Sequence, residues 1–148
     1  MSKEQLKLSN QICFPLYSAS RLITQAYKPY LDELGVTYPQ YLVLLVLWEE
    51  DEITVNTIAQ KLILKTNTLS PLLQRMAHQE LIERNRSSAD ERSVMIKLTN
   101  KGKALEKAAA AIPENMMKSL MSESVELADV MQIKQLLTQW IELLKEKN

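Results

Sequence analysis

The order of sequence patterns between residues 61 and 103 constrains the fold of this 148-residue chain more than any other feature. A helical pattern at Thr66–His78 follows a short helix at Val55–Leu62, with the turn "ILKTN" between them. Two runs of alternating apolar and polar residues, "LIERNR" and "SVMIKLT", then flank the charged loop "SSADER", which is typical of a β-hairpin. We therefore expect a mainly α fold: a winged helix-turn-helix with a small β-hairpin wing.

Positive charge is concentrated in the same segment. Residues 61–103 hold nine Lys and Arg against four Asp and Glu, whereas residues 1–60 hold four against seven and residues 104–148 hold five against seven. The chain as a whole is formally neutral. A neutral protein that gathers its cations in one compact segment is suited to a polyanion, and the helix-turn-helix order indicates double-stranded DNA.

Long helices are expected on both sides of this segment. The first runs from near Ser9 or Asn10 to Leu34, unless Pro15 marks its first turn and a true start near Cys13. After it, residues 41–48 are apolar nearly all round and predict a central buried helix.

The turns around the central helix carry their own signals. Thr37 is a suitable N-cap for that helix, and Gln40 stands three residues later, where it completes a capping box. Trp48 is expected to anchor the core, and the acidic residues 49–52 are expected to be solvated.

The C-terminal region predicts a helix over residues 101–120, with a possible break at Pro113, and a last helix that starts at Ser122. We expect Trp140 in that helix to anchor the core. The last helix also carries an apolar stripe with no obvious partner in a winged-helix core: Val130, Ile133, Leu137, Trp140, Ile141 and Leu144. Such a stripe can pair with the same stripe of a second copy in a two-fold dimer.

The domain organisation follows from these elements. We expect one domain over residues 1–148, with a DNA-binding lobe at 36–100. The N- and C-terminal helices, within 1–35 and 101–148, are expected to form the dimerisation region of a homodimer.

Candidate DNA-contacting residues lie at the start of the second helix of the helix-turn-helix, called here the recognition helix. They are short hydroxyl and amide side chains with a few cations: Lys65, Thr66, Asn67, Thr68, Ser70, Gln74 and Arg75. Such side chains can bond phosphates and base edges, and the positive end of a helix favours phosphate. The alternative is that Thr66 and Asn67 only cap the helix.

The wing loop holds Arg86, Asp90 and Arg92. An arginine at a hairpin tip can enter a narrow, A·T-rich minor groove. Asp90 would then orient Arg92 or Arg86 through a charge-assisted pair. The alternative is an ordinary solvated charged loop.

The single cysteine, Cys13, is the one strong nucleophile candidate. Only a thiolate reacts readily with a peroxide, and a position at the positive end of a helix would favour that form. Tyr17 lies four residues on, on the same helix face, whereas Tyr27, Tyr38 and Tyr41 can reach Cys13 only through folding or dimerisation. Oxidation would give a sulfenic acid, which a low-molecular-weight thiol could convert to a mixed disulfide. The alternative is an inert, buried packing residue.

Other features argue against further chemistry or a membrane. His78 has no partner at ligand spacing, so no metal site is expected, and nothing indicates a cofactor or a catalytic constellation. The N-terminus lacks a signal-peptide core and no apolar run approaches about eighteen residues, so no membrane association is expected. One cysteine makes no intrachain disulfide, and a cytoplasmic location follows as the expectation.

Several stretches resemble a known family. The pattern "DERSVMIKLTNKG" resembles the wing signature of the MarR family of bacterial repressors, and the order of helices matches over essentially the whole chain. The stretches "NQICFPLYSASR", "YKPYLDELGVTYPQYLVLLVLWE" and "TLSPLLQRM" resemble its organic-hydroperoxide-sensing branch with one N-terminal cysteine. The resemblance implies a dimeric winged-helix repressor in which Cys13 is reactive and hydrogen-bonds to Tyr27 and Tyr38 of the partner subunit, with Tyr17 nearby.

The chain departs from that branch at three points. Lys65, Thr66 and Asn67 stand where the branch usually has Asp-Ser-Gly, so its operator preference does not carry over. Pro15 stands where Leu is common, and there is no second cysteine for an intersubunit disulfide.

These observations predict a non-enzymatic, homodimeric transcriptional repressor. It would bind a pseudo-palindromic operator and leave it when an organic hydroperoxide oxidises Cys13. The main alternative keeps the fold but replaces oxidation with a small aromatic ligand held between the dimer helices and the DNA-binding lobe. A thiol peroxidase and a structural protein without DNA affinity are further alternatives.

Overall fold

The structure, a computed structural model, describes residues 2–87, 89 and 92–147. The helices are α1 (Ser2–Gln5), α2 (Cys13–Leu34), α3 (Tyr38–Glu49), α4 (Val55–Leu62), α5 (Thr66–His78), α6 (Asn100–Ala109), α7 (Ile112–Leu120) and α8 (Leu127–Lys147), with a 3-10 turn at Leu8–Asn10. The strands are β1 (Ile53–Thr54), β2 (Ile82–Arg86) and β3 (Val94–Leu98). Two compact units divide the chain, Met1–Ala110 and Ala111–Asn148.

The predicted winged helix-turn-helix is confirmed within the first unit. β3 lies between β1 and β2, and both pairings are antiparallel. The hairpin register places Ile82 opposite Leu98 and Arg86 opposite Val94. Thr54 caps α4 through its side chain, which accepts from the amide of Thr57.

The central helix α3 is buried as expected. Thr37 accepts a hydrogen bond from the amide of Gln40 at 3.4 Å, and the Gln40 side chain accepts from the amide of Thr37 at 3.1 Å, so the predicted capping box is present. Val43 and Leu44 are completely buried. Trp48 anchors the core as predicted, and its indole nitrogen donates to the carbonyl of Gly102 at 3.0 Å.

The apolar faces of the recognition helix and the wing also form the core. Leu69, Leu72, Leu73 and Met76 of α5 are buried, together with Ile82, Ile96 and Leu98 of the sheet. Val94 has the same strand parity as Ile96 and Leu98 but is only half-buried, because it pairs with Arg86 at the outer end of the hairpin.

The glutamates of the acidic turn after α3 are exposed, as expected, and the turn also makes specific contacts. Glu50 pairs with Lys61 at 3.3 Å and Glu52 pairs with Lys97 at 3.1 Å. Asp51 accepts a hydrogen bond from the amide of Leu98 at 2.9 Å, which ties this turn to the end of β3.

Helix boundaries outside the core differ from the predictions in three places. The first long helix begins at Cys13 and not near Ser9 or Asn10, which agrees with the alternative that Pro15 lies in its first turn. The helix predicted over 101–120 breaks at residues 110–111, and Pro113 lies in the first turn of α7 because its missing amide costs no hydrogen bond there.

The last helix begins later than predicted. Ser122 forms a bridge with Val125 and not a helix start. The amide of Glu126 donates to the Asp129 carboxylate at 2.8 Å, and α8 follows from Leu127. The Ser122 hydroxyl accepts a hydrogen bond from the amide of Ser124 at 3.3 Å, which stabilises a turn and not a helix start.

Most of the apolar stripe of α8 is exposed in the single chain, although Val130 and Leu137 are half-buried. Trp140 is 43% exposed, so the prediction that it anchors the core is wrong for one chain on its own. Ile133, Ile141 and Leu144 are also exposed, and the same is true of Leu22 on α2. Within the described ranges, no helix combines the length and apolar content that a membrane crossing requires.

Candidate DNA interface and cysteine site

The recognition helix α5 begins without a side-chain cap. Lys65 is the N-cap residue, and no side chain in the described part of the chain bonds to this helix start. The amides of Thr68 and Leu69 both donate to the Lys65 carbonyl at 3.0 Å, whereas those of Thr66 and Asn67 have no intrahelical acceptor. The alternative that Thr66 or Asn67 caps the helix is therefore wrong.

The side chains predicted to contact DNA lie on the wing and along α5, from its N-cap residue Lys65 to Arg75 in its last turn. Lys65, Thr66, Asn67, Thr68, Gln74 and Arg75 are exposed, and Ser70 is half-buried. On the wing, Arg86 and Arg92 are exposed at the two ends of the loop, next to the hydrogen bond from the Ser87 amide to the Ser93 carbonyl at 2.8 Å. Asp90 lies outside the described residues.

A polar cleft of about 170 Å³ joins the starts of α4 and α5 to the sheet. Its walls include Asn56 at the start of α4, Thr66 and Ser70 on α5, and Arg84 and Arg92. Two helix N-termini and two guanidinium groups give this cleft a positive character, which suits a backbone phosphate.

Arg84 is the residue that the sequence analysis missed. Its Nε is buried and has no hydrogen-bond partner among the described residues. The alternating pattern of β2 could have predicted an inward-facing Arg84, because Arg84 shares a strand face with Ile82, which is buried. An arginine in that register lies beneath the recognition helix, where it borders Gln74 and His78 as well as the cleft.

Not every cation of the basic segment is directed to this face. Lys61 and Lys97 are paired with Glu50 and Glu52, and Lys101 donates to the carbonyl of Gln79 at 2.8 Å. The positive charge of the DNA-facing surface therefore comes mainly from α5, β2 and the wing.

Cys13 is exposed and is the first residue of α2. Tyr17 is also exposed, and the Arg21 guanidinium lies 4.7 Å from the centre of its ring. Tyr27 follows Cys13 by fourteen residues on the same helix, which is a distance of about 21 Å along the axis. The structure therefore does not bring Cys13 together with Tyr27 within one chain.

Three tyrosines form a cluster on α2 and α3: Tyr27, Tyr38 and Tyr41, the tyrosine cluster. The ring centres of Tyr27 and Tyr38 are 4.9 Å apart, and Tyr41 lies 5.8 Å from Tyr27 and 6.3 Å from Tyr38. Burial raises the pKa of all three hydroxyls, and for Tyr27 the neighbouring Tyr38 and Tyr41 raise the pKa further. At neutral pH these hydroxyls are therefore protonated hydrogen-bond donors.

An apolar cavity of about 330 Å³ borders this cluster. Leu31, Val36, Tyr38 and Pro39 line it, and the ion pair of Lys28 with Asp32 lies along its wall. No group of three or more His, Cys, Asp or Glu side chains in the described residues is placed to hold a metal ion.

Comparison with known proteins identifies the family. The model of the transcriptional regulator SarA/Rot family matches residues 25–108. The chain is 47% identical to the organic hydroperoxide resistance transcriptional regulator of Bacillus subtilis over 145 residues, which cover 98% of this chain and 97% of that protein.

Solved structures agree with this result. Reduced AbfR bound to DNA matches with 36% identity and a TM-score of 0.80, over 99% of this chain and 98% of that one. Disulfide-formed AbfR matches with 37% identity and a TM-score of 0.65, over 99% and 97%. AbfR is a protein of Staphylococcus epidermidis. The chain therefore belongs to the MarR/SarA family of winged-helix transcriptional regulators, as the resemblance of its wing and cysteine segments implied, and not to a family of enzymes.

Proposed function

We propose that this chain is a cytoplasmic, homodimeric transcriptional repressor that leaves its DNA operator when an organic hydroperoxide oxidises Cys13. The observation that carries the DNA-binding part is the uncapped start of α5 beside a cleft lined by Arg84 and Arg92. The names of the relatives support both parts, because the Bacillus relative is a regulator of organic hydroperoxide resistance and AbfR is bound to DNA in its reduced form.

The roles of the DNA-facing residues follow from their positions. The free amides of Thr66 and Asn67 and the side chain of Lys65 would bind backbone phosphate, because the helix dipole adds to the charge of the ammonium group. The exposed side chains farther along α5 would face base edges in the major groove. Arg92 at the wing would reach the adjacent minor groove, and Asp90 would orient it.

Exposed apolar side chains on α2, and separately on α8, support the proposal of a homodimer. Large apolar side chains such as Leu22, Ile133 and Trp140 are rarely left in water in this number unless a partner covers them. A two-fold dimer would present two recognition helices to half-sites about 34 Å apart, which requires a pseudo-palindromic operator.

Oxidation of Cys13 to a mixed disulfide requires two reactants, an organic hydroperoxide and a low-molecular-weight thiol. The Cys13 thiolate attacks the terminal oxygen of R–O–O–H, the O–O bond breaks, and the alkoxide takes a proton and leaves as the alcohol. The sulfur loses two electrons and becomes a sulfenic acid, Cys–S–OH. A low-molecular-weight thiol, R′–SH, then forms the mixed disulfide Cys–S–S–R′ and releases water.

The tyrosines that support this thiolate would come from both chains. Tyr17 is one helical turn from Cys13 in the same chain. Tyr27 and Tyr38 are too far away in the same chain, so the partner subunit would supply their hydroxyls. Because burial raises the pKa of both hydroxyls, they remain protonated and able to donate to a thiolate.

Operator binding before and after oxidation tests the proposal. A duplex selected by the reduced protein from randomised DNA is titrated with the wild type and with Cys13→Ser, before and after one equivalent of cumene hydroperoxide plus a small thiol. We expect the wild type to lose affinity and Cys13→Ser to retain it, with a mixed disulfide on Cys13 by mass spectrometry. Equal behaviour of the two proteins would reject Cys13 as the sensor.

The apolar cavity beside Tyr38 favours one alternative, a repressor released by a small aromatic ligand. Its volume of about 330 Å³ and its apolar lining suit a single ring, whose acidic group would have to compete with Asp32 for Lys28 at the wall. Release of Cys13→Ser from DNA by salicylate, without any oxidant, would support this alternative.

A further inference from the structure

Gln79, the residue that follows the recognition helix, connects three elements of the first unit. Its side-chain oxygen accepts a hydrogen bond from the amide group of Gln40 at 2.9 Å. Its side-chain nitrogen donates to the carbonyl of Gly35 at 3.3 Å, and its own carbonyl accepts from Lys101 at 2.8 Å. We call the side-chain contacts of Gln79 with Gln40 and Gly35 the Gln79 bridge.

The partner of Gln79 in this bridge is held firmly. Gln40 is 4% exposed and is the one buried polar or charged side chain in the described chain. Its side-chain oxygen accepts from the amide of Thr37 and its side-chain nitrogen donates to Gln79, so both ends of the amide are hydrogen-bonded. A buried amide that is hydrogen-bonded at both its oxygen and its nitrogen is expensive to displace, because moving it leaves polar groups unpaired.

The end of the recognition helix is fixed from the other side as well. The amide of Leu81 donates to the Met76 carbonyl and that of Glu80 to the Ala77 carbonyl, both at 3.0 Å, which closes α5 in a Schellman motif. Glu80 has a positive φ of 60°, and its carbonyl accepts from the Thr99 hydroxyl at 2.6 Å. Neighbouring contacts therefore hold this helix end in a conformation that a side chain does not favour alone.

Tyr38 stands at the other end of the bridge. It is the first residue of α3, two residues before Gln40 and inside the turn that the capping box closes. A shift of the Tyr38 turn therefore carries Gln40 with it and pulls on the end of α5. The helix has 13 residues and is about 20 Å long, so a 5° tilt at its end moves its first turn by about 1.7 Å. Hydrogen bonds tolerate only about 0.5 Å, so such a tilt breaks contacts with DNA.

We propose that the Gln79 bridge is the positioning link through which the tyrosine site sets the angle of the recognition helix. This inference rests on the proposed function, because it needs a change at Tyr38 when Cys13 is oxidised. Gln79 touches neither the thiol nor the DNA-facing start of α5 in this assignment. It acts only through Gln40 and the backbone at Gly35.

The test measures the ratio of operator Kd after and before oxidation with cumene hydroperoxide and a small thiol. Gln79→Ala removes both side-chain bonds, and Gln79→Glu keeps the acceptor for Gln40 but loses the donor to Gly35. Gln60→Ala, an exposed glutamine on α4, is the matched control. Mass spectrometry confirms that Cys13 is oxidised to the same extent in every protein.

We expect the ratio of operator Kd after oxidation to that before oxidation to fall by about 2- to 12-fold for each hydrogen bond lost, because the oxidised variant binds DNA more tightly than the oxidised wild type. Gln60→Ala should match the wild type. A purely structural role would raise both Kd values together and leave the ratio unchanged, and that result would overturn the inference. If Gln79→Ala does not fold, the ratio for Gln79→Glu decides by the same criterion. A wild-type ratio of one would instead overturn the proposed function and this inference with it.

Discussion

Mixing two defective proteins tests whether Cys13 is supported by the tyrosines of the partner chain. The first, the tyrosine-deficient protein, carries Tyr27→Phe and Tyr38→Phe and keeps Cys13. The second, the cysteine-deficient protein, carries Cys13→Ser and keeps both tyrosines. In a mixed dimer with contacts between chains, the remaining Cys13 faces two intact tyrosines. With contacts inside one chain, it faces two phenylalanines.

The structure sets the expected size of the effect. Fourteen residues of α2 separate Cys13 from Tyr27, about 21 Å along the helix, so a contact within one chain is excluded while α2 stays intact. Random exchange of subunits at a 1:1 ratio gives mixed dimers for about half of the cysteine-bearing chains. Loss of hydrogen bonds to a charged sulfur costs about 1.5–3 kcal/mol, so the tyrosine-deficient protein alone should react about 10- to 150-fold more slowly.

The assay follows the loss of the thiol after addition of cumene hydroperoxide. We expect a fast phase with the wild-type rate and about half of the total amplitude in the mixture. The tyrosine-deficient protein alone should react only slowly, and the cysteine-deficient protein has no thiol to lose. The control mixes the tyrosine-deficient protein with a chain that carries all three substitutions, which should give no fast phase. A mixture with no fast phase, although mixed dimers have formed, would refute the reasoning.

Three further predictions concern stability, charge and pH. Gly102→Ala should lower the free energy of unfolding by about 1–3 kcal/mol, because a Cβ would lie 2.2 Å from the Leu81 carbonyl oxygen. Gly35→Ala meets no atom within 4 Å and should lower it by about 1 kcal/mol, because the residue has a positive φ. Equal losses for the two variants in urea unfolding would contradict this prediction. Lys65→Ala should reduce the slope of the logarithm of the operator association constant against the logarithm of salt concentration by about 0.9. Lys118→Ala on α7 is the control and should leave the slope unchanged in the same salt titration. The raised pKa values of the tyrosine cluster mean that the folded state holds these protons more tightly than the unfolded state. The stability that the protonated tyrosines contribute is therefore complete below pH 10.0 and is lost as the pH rises above it. An ultraviolet titration in which all tyrosines ionise together at 10.0 would contradict this.

The winged helix could be predicted from sequence because its signals are local. Thr37, Thr54 and Thr99 each cap a helix through their side chains, and Thr37 does so at the predicted position. The alternation of β2 and β3 fixed which residues face the core, because a shift by one residue would turn every apolar side chain outward.

The boundaries at the C-terminal end could not be predicted in the same way. The break at residues 110–111 falls in a run of alanines, which are good helix formers, so Pro113 predicts a break nearby but the alanines do not give its position. Ser122 has the chemistry of a cap, but its hydroxyl also suits a turn, and only the fold decides between the two. Trp140 is apolar enough for a core, yet a stripe on a terminal helix can be buried by a second chain instead.

The sequence predicted which kinds of side chain form the site, but it did not predict which of them contact one another. The uncapped start of α5 depends on Lys65, which has no capping oxygen, and its importance appears only with Arg84 beneath it. Gln40 was recognised as part of a capping box, but its bond to Gln79 spans 39 residues and has no local signal.

The two proposals together predict which chain responds to an oxidised cysteine. If Cys13 contacts Tyr38 of the partner, and Tyr38 acts through Gln79 of its own chain, oxidation of one chain moves the recognition helix of the other. Loss of one half-site removes most of the affinity of a bivalent binder, so one oxidised thiol should release a mixed dimer. Gln79→Ala should therefore block release when it is placed in the cysteine-deficient chain of the mixture described above, and not when it is placed in the chain that bears Cys13. Operator binding by the two mixed dimers after oxidation measures this, and the opposite pattern would mean that each cysteine acts on the helix of its own chain.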